Sequence, residues 1–259
     1  MKKRTAFIGA ILSLIPLGQP ILMKTGVFLS SSVVMLSLPE TVHAGDNSYY
    51  FDRAFEKGKN GDHYGAISDY TKAIEINPLD DSAYHNRAVS RETLKQCYKA
   101  IADYLRAIEI KSDRPKSYHG FGNCKSELGD FNGAISAFTK AIEIDPSYES
   151  AYYNRGSAKS DIKDYSGAIS DYTKALEINP NSEKSFLNRG FAKSMLKDNY
   201  GAISDYTKAL QINPNYTLGF ANRGSAKELI GDMQGACDDW RKASSLGNES
   251  ANKWVRDMC

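Results

Sequence analysis

The 259-residue sequence predicts an all-α fold: a solenoid of six helix-turn-helix hairpins closed by a short C-terminal helix. Three observations predict it. A pattern recurs every 34 residues without insertion, each copy holds two stretches with small or apolar residues at helical spacing, and a proline follows the second stretch in most copies. The string Gly-Asp-His-Tyr-Gly-Ala ends at Ala66, and related strings end at Ala100, Ala134, Ala168, Ala202 and Ala236. The repeats therefore divide as 47–80, 81–114, 115–148, 149–182, 183–216 and 217–250.

In chain order, the first element is 1–44. It has a basic start (Lys2, Lys3, Arg4), apolar runs over 6–23 and 27–38 split by Lys24, and a small-residue site at Val42-His43-Ala44. This is the layout of an export signal, cleaved to leave Gly45 first, or of an uncleaved membrane anchor. Each run is poor as a span, since the first carries Pro16, Gln19 and Pro20 and the second is shorter than the roughly 20 apolar residues a bilayer needs.

Within each repeat, the first helix, expected over 151–162 in the fourth copy, has an aromatic near its start (Tyr50, Tyr84, Tyr118, Tyr152, Phe186, Phe220). One turn later comes a small residue (Ala54, Ala88, Gly122, Gly156, Gly190, Gly224). The second helix, expected over 66–76 in the first copy, opens on the recurrent alanine and stops at Asn77-Pro78. The small residue and that alanine are expected to face each other, letting the two helices touch. The aromatics Tyr70, Tyr104, Phe138, Tyr172, Tyr206 and Trp240 are expected to pack on the next repeat's first helix, so that no repeat buries its core alone. The stretch 251–259 begins like a seventh copy, with Trp254 at the aromatic's place, and is expected to cap the stack.

With an aromatic, a small residue, an alanine, a second aromatic, another alanine and a proline at these spacings, residues 47–250 resemble the tetratricopeptide repeat family, in a bacterial, cyanobacterial-like style. The resemblance implies a right-handed α-solenoid that binds polypeptides on its concave face. Two departures stand out. The leucine usual before the small residue is mostly Arg, and the tyrosine four residues further is always basic (Lys57, Arg91, Lys125, Lys159, Lys193, Lys227).

Those arginines co-vary with aspartates sixteen residues on. Arg53 and Asp69, Arg87 and Asp103, Arg155 and Asp171, Arg189 and Asp205, and Arg223 and Asp239 occur together, whereas the third repeat loses both and has Phe121 and Ala137. Joint loss within one repeat predicts salt bridges inside the hairpin; the alternative is duplication of a solvated surface.

Candidate partner-binding residues follow the inner face. Asn86, Asn154, Asn188 and Asn222 recur before the arginine, and an amide that donates and accepts can hydrogen-bond an extended backbone without reading its sequence. The family resemblance implies the same use of an asparagine ladder, although local helix-polar residues copied by duplication give the same pattern. A clamp for a C-terminal carboxylate, a second family pattern, finds only a partial counterpart in His119, Asn123, Asn154, Lys184 and Asn188. The basic row from Lys57 to Lys227 could draw acidic partners unless neighbouring Asp62, Asp130, Asp164, Asp198 and Asp232 neutralise it.

All four cysteines follow the export segment, and the repeat register predicts disulfides Cys97–Cys124 and Cys237–Cys259, with four small buried thiols as the alternative. Of 33 basic and 31 acidic residues, four basic ones and one acid precede residue 45, leaving 29 and 30 in the body; this near-neutral balance argues against nucleic acid. No phosphate-cradling loop, zinc spacing or nucleophile elbow stands in the sequence, so no enzyme, metal or cofactor is expected. The expected function is that of an exported scaffold binding an unidentified polypeptide, in periplasm, lumen or medium. A membrane-attached assembly or maturation factor, for instance for a photosynthetic complex, is the other candidate.

Overall fold

The computed structural model describes residues 46–259; the expected signal or anchor and its cleavage site lie outside them. Thirteen α-helices and no strand occur among the described residues. Hairpin 1 consists of α1 (Asn47–Lys59) and α2 (His63–Ile76), and hairpin 2 of α3 (Asp81–Thr93) and α4 (Cys97–Ile110). Hairpin 3 follows as α5 (Pro115–Glu127) and α6 (Phe131–Ile144), and hairpin 4 as α7 (Glu149–Asp161) and α8 (Tyr165–Ile178). Hairpin 5 is α9 (Glu183–Met195) and α10 (Asn199–Ile212), and hairpin 6 is α11 (Thr217–Leu229) and α12 (Met233–Ser245), with α13 (Glu249–Met258) behind it. No helix of the described residues is long and apolar enough to cross a membrane.

The second helices begin three residues before the expected start at the recurrent alanine. In five of them an aspartate caps the helix: Asp62, Asp130, Asp164, Asp198 and Asp232 accept from the backbone N–H three residues on. That third residue is glycine, and a Cβ on Gly65 would lie 2.0 Å from Asp62 Oδ2. The second hairpin lacks both: Gln96 makes no side-chain cap and Lys99 replaces the glycine. The first helix of the fourth repeat likewise starts at Glu149, two residues before the expected position, and the terminal helix starts at Glu249 rather than Ala251.

Each second helix packs on its own first helix and on the first helix of the following hairpin, and α12 packs on α13. The pivotal ring is the second-helix aromatic. A Cβ on Gly156 would sit 3.0 Å from Tyr172, and one on Gly224 would sit 2.5 Å from the Trp240 indole nitrogen. The small residue of the first helix thus makes room for the ring of its own hairpin. The same ring reaches forward: Tyr172 shares a cluster with Ala192, and Tyr104 lies against Gly120. The aromatics therefore make the expected contact with the next repeat and pack in their own hairpin as well. At the end of the stack Trp254, Val255 and Ala251 cover Trp240 and Ala243, with the Trp240 and Trp254 rings 5.5 Å apart.

Successive first helices also touch one another, α1 with α3 through to α9 with α11, whereas successive second helices make no comparable contact. The closer row of a curved stack is its inner wall, so the first helices form that wall.

Candidate functional site: the inner wall and its charge network

Asp171 is 3% exposed and accepts a two-point hydrogen bond from Arg155, from Nε at 3.0 Å and from Nη2 at 2.6 Å. The same geometry joins Arg53 to Asp69, Arg87 to Asp103, Arg189 to Asp205 and Arg223 to Asp239, with Nη2 to Oδ1 distances of 2.6 to 2.8 Å. A second cation completes each site. Lys57, Arg91, Lys159, Lys193 and Lys227 lie 2.5 to 2.9 Å from the same five carboxylates. Two cations on one buried acid is the arrangement its desolvation demands. Arg53, followed by Lys57, holds the Asp69 carboxyl below its ordinary range.

The remaining guanidinium nitrogen reaches backward. Arg87 Nη1 donates to Thr71 Oγ1 at 3.0 Å, and Arg155, Arg189 and Arg223 donate to Thr139, Thr173 and Thr207 of the preceding hairpins. One arginine thus ties two helices of its own hairpin to the hairpin before. At the third repeat the whole device is replaced: Phe121 stands for the arginine, Ala137 for the aspartate and, in the repeat before, Leu105 for the threonine. Phe121 packs instead on the cluster of Ala88, Cys97, Ala100, Tyr104 and Cys124. Lys125, left without its aspartate, pairs with Asp130 at 2.8 Å. Neutralisation by the capping aspartates, expected for the whole basic row, therefore occurs only here; elsewhere the buried aspartate does it. In either case no lysine of that row is free to attract an acidic partner.

The asparagines lie on the inner wall, half-buried, and several use their amide hydrogens within the wall. Asn123 Nδ2 donates to Glu92 at 3.1 Å, Asn154 Nδ2 donates to Asn123 Oδ1 and to His119 Nε2, both at 2.9 Å, and Asn188 Nδ2 donates to the Tyr153 hydroxyl at 3.0 Å. Asn86 lines a cavity together with Tyr70. The side-chain oxygens of Asn154 and Asn188 have no hydrogen-bond partner among the described residues, nor does the amide of Asn222. The row therefore presents chiefly acceptors, not the donor-and-acceptor ladder expected from sequence.

The carboxylate clamp does not assemble. His119 accepts from Asn154 and lies 5.0 Å from the Tyr148 ring and 5.6 Å from Phe138. Burial pushes its pKa down to about 4, so it is a neutral acceptor at the place where the clamp needs a cation. Lys184 is exposed and lines a polar cavity of about 300 Å³ with Glu149, Ser150, Tyr153, Asn179 and Ser182 between α7 and α9.

Cys237 and Cys259 form a disulfide, with Cα atoms 5.7 Å apart. Cys97 and Cys124 do not: they are buried free thiols, correcting the expected bridge. Burial raises both thiol pKa values, and the Cys97 thiol donates to Glu127 at 3.4 Å. Neither is the thiolate that disulfide exchange requires. No cluster suited to a metal occurs among the described residues.

Family models match four segments. A tetratricopeptide repeat model matches 48–78 and 81–114, a second 150–182, and a TPR repeat model 122–162. No curated protein matches the sequence. Among solved structures, the chain is similar to YrrB, described as a TPR protein with an unusual peptide-binding site, with 22% identity, 73% of this chain and 98% of that one covered, and a TM-score of 0.64. It is also similar to PilF of Pseudomonas aeruginosa (18% identity, 83% and 98% covered, TM-score 0.69) and to PilW, described as a type IV pilus biogenesis factor (18% identity, 81% and 98% covered, TM-score 0.69). At these identities the likeness is one of fold.

Proposed function

The chain is a tetratricopeptide repeat protein, and from that premise we propose that it is a non-enzymatic scaffold whose inner wall holds an extended polypeptide after export. The carrying observation is the free side-chain oxygens of Asn154 and Asn188 on adjacent first helices, with the unengaged amide of Asn222 beyond them. Acceptors recurring once per hairpin suit the backbone N–H groups of an extended chain. Solenoids bind partners along such faces because the repeat supplies a long surface without a pocket.

The test is capture by the wild-type chain and by a variant carrying Asn154→Ala, Asn188→Ala and Asn222→Ala. A bound polypeptide lost from the variant, but kept by a variant of exposed Lys208 on the second-helix side, supports the proposal. Equal capture by all three overturns it. Export rests on the basic start and the small-residue site of 1–44, and sequencing the mature N-terminus checks it: Gly45 is expected, and an intact Met1 favours the membrane-attached assembly factor.

A further inference from the structure

We propose that the polypeptide held by the inner wall is basic and is anchored by one large apolar side chain between α1 and α3. This rests on the inner-wall proposal and specifies its partner. A cavity of about 220 Å³ opens there, lined by Phe55, Gly58, Tyr70, Asn86 and Val89, with His63 and Lys59 at its edge. Phe55 and Val89 are 47% and 41% exposed. A cavity of about 150 Å³ already admits a benzene ring, so a phenyl group fits.

The sign of the partner's charge follows from which inner-wall groups are engaged. The arginine row and the basic row are committed to buried aspartates or Asp130. The acids are not matched in the same way. Asp52, one turn before Phe55, meets no cation, and Glu92, one turn beyond Val89, is bonded only by the neutral Tyr104 hydroxyl and the Asn123 amide. Glu149, Asp161 and Glu183 further along the wall also lack ion pairs among the described residues. Against them stand Lys116 and Lys184, with Lys163 and Lys197 in the turns after α7 and α9, while Lys59 is paired with Glu56 at 3.3 Å. Beside the cavity, Lys59 lies 5.6 Å from the Phe55 ring centroid but is taken up by Glu56, whereas Asp52 and Glu92 have no cation among the described residues and attract lysines or arginines beside the anchoring side chain.

Fluorescence anisotropy on the full chain tests this with three labelled peptides: Lys-Lys-Phe-Lys-Lys within Gly-Ser flanks, its Phe→Ala form and its Lys→Glu form. The first is expected to bind at least tenfold tighter than the second, the third not to bind, and rising salt to weaken the first. Phe55→Ala should weaken the phenylalanine peptide at least tenfold and leave the alanine peptide unchanged, while Asp52→Asn should weaken both. Both residues are exposed, so circular dichroism should match wild type. Equal binding of the phenylalanine and alanine peptides, or indifference to Phe55→Ala, overturns the anchor. If Asn154→Ala and Asn188→Ala still weaken binding in that case, the inner wall stands and only the subsite falls. If they do not, both fall. A dimer in sedimentation that Phe55→Ala dissociates would give the groove to a second copy, and also overturns the proposal.

Discussion

At the scale of single residues, a carboxylate 3% exposed beside two cations makes Asp171 a sensitive position. Asp171→Ala leaves Arg155 and Lys159 facing each other, and because both are partly solvated the cost should be about 2–3 kcal/mol, below that of a fully buried pair. The third repeat shows how to avoid that cost. Copying it with Thr139→Leu, Arg155→Phe and Asp171→Ala together should restore most of the loss, as urea titration of the single and triple variants will show; a triple variant less stable than Asp171→Ala contradicts the account. The Arg–Asp contact was legible because one repeat lost both members. The lysine was not, because every repeat keeps a cation there, and the threonine was not, because it sits in the preceding repeat. His85 and His119 give a second prediction. Burial holds both at about 4; for His85, neighbouring Arg114 and Lys116 add to the effect and Asp81 opposes it. Between that value and the ordinary 6.5 the unfolded chain binds protons that the folded chain does not, so stability is complete above about pH 6.5 and falls as pH drops, by up to ~1.4 kcal/mol per unit for each histidine. Proton NMR should show His85 and His119 untitrated at pH 5.5; ordinary titration of both would refute it.

At the scale of helices, the expected boundaries erred because the capping aspartate lies four residues ahead of the conspicuous alanine, so that the helix starts three before it. His63, Tyr165 and Asn199 at the true starts carry no helical signal of their own, whereas Asp62 with Gly65 does once the carboxylate is seen to occupy the space of a side chain. The turn before that cap is left-handed in every hairpin: Gly61, Gly129 and Gly231 at φ of 79° to 84°, but Lys95, Lys163 and Lys197 at 60° to 66°. A non-glycine residue there costs about 1 kcal/mol. Lys163→Gly should therefore raise stability by roughly 0.5–1 kcal/mol, the gain being trimmed by the extra freedom of the unfolded chain, and a lowered melting temperature would contradict this. The terminal helix has ten residues, too few to persist alone, and depends on Trp254 and the disulfide. Cys259→Ser should cost about 2–4 kcal/mol of local stability, read as faster proteolysis at 249–258; unchanged cleavage would show that packing alone holds it.

At the scale of the whole stack, the period of 34 made the architecture plain, because a hairpin with apolar residues on both helices must lie between neighbours to bury them. The charge of the inner wall was not plain. The sequence is near neutral and its most regular cations look available, but five carboxylates below the surface engage them and leave the unmatched acids to set the sign. Arg87, Arg155, Arg189 and Arg223, on the same carboxylates, tie their hairpins to the ones before through Thr71, Thr139, Thr173 and Thr207. Hydrogen exchange on Asp171→Ala tests most directly whether the hairpins share one continuous interior. Protection should fall in α7 and α8 and also in α6 and α9 on either side, whereas a loss confined to α7 and α8 would contradict a shared interior.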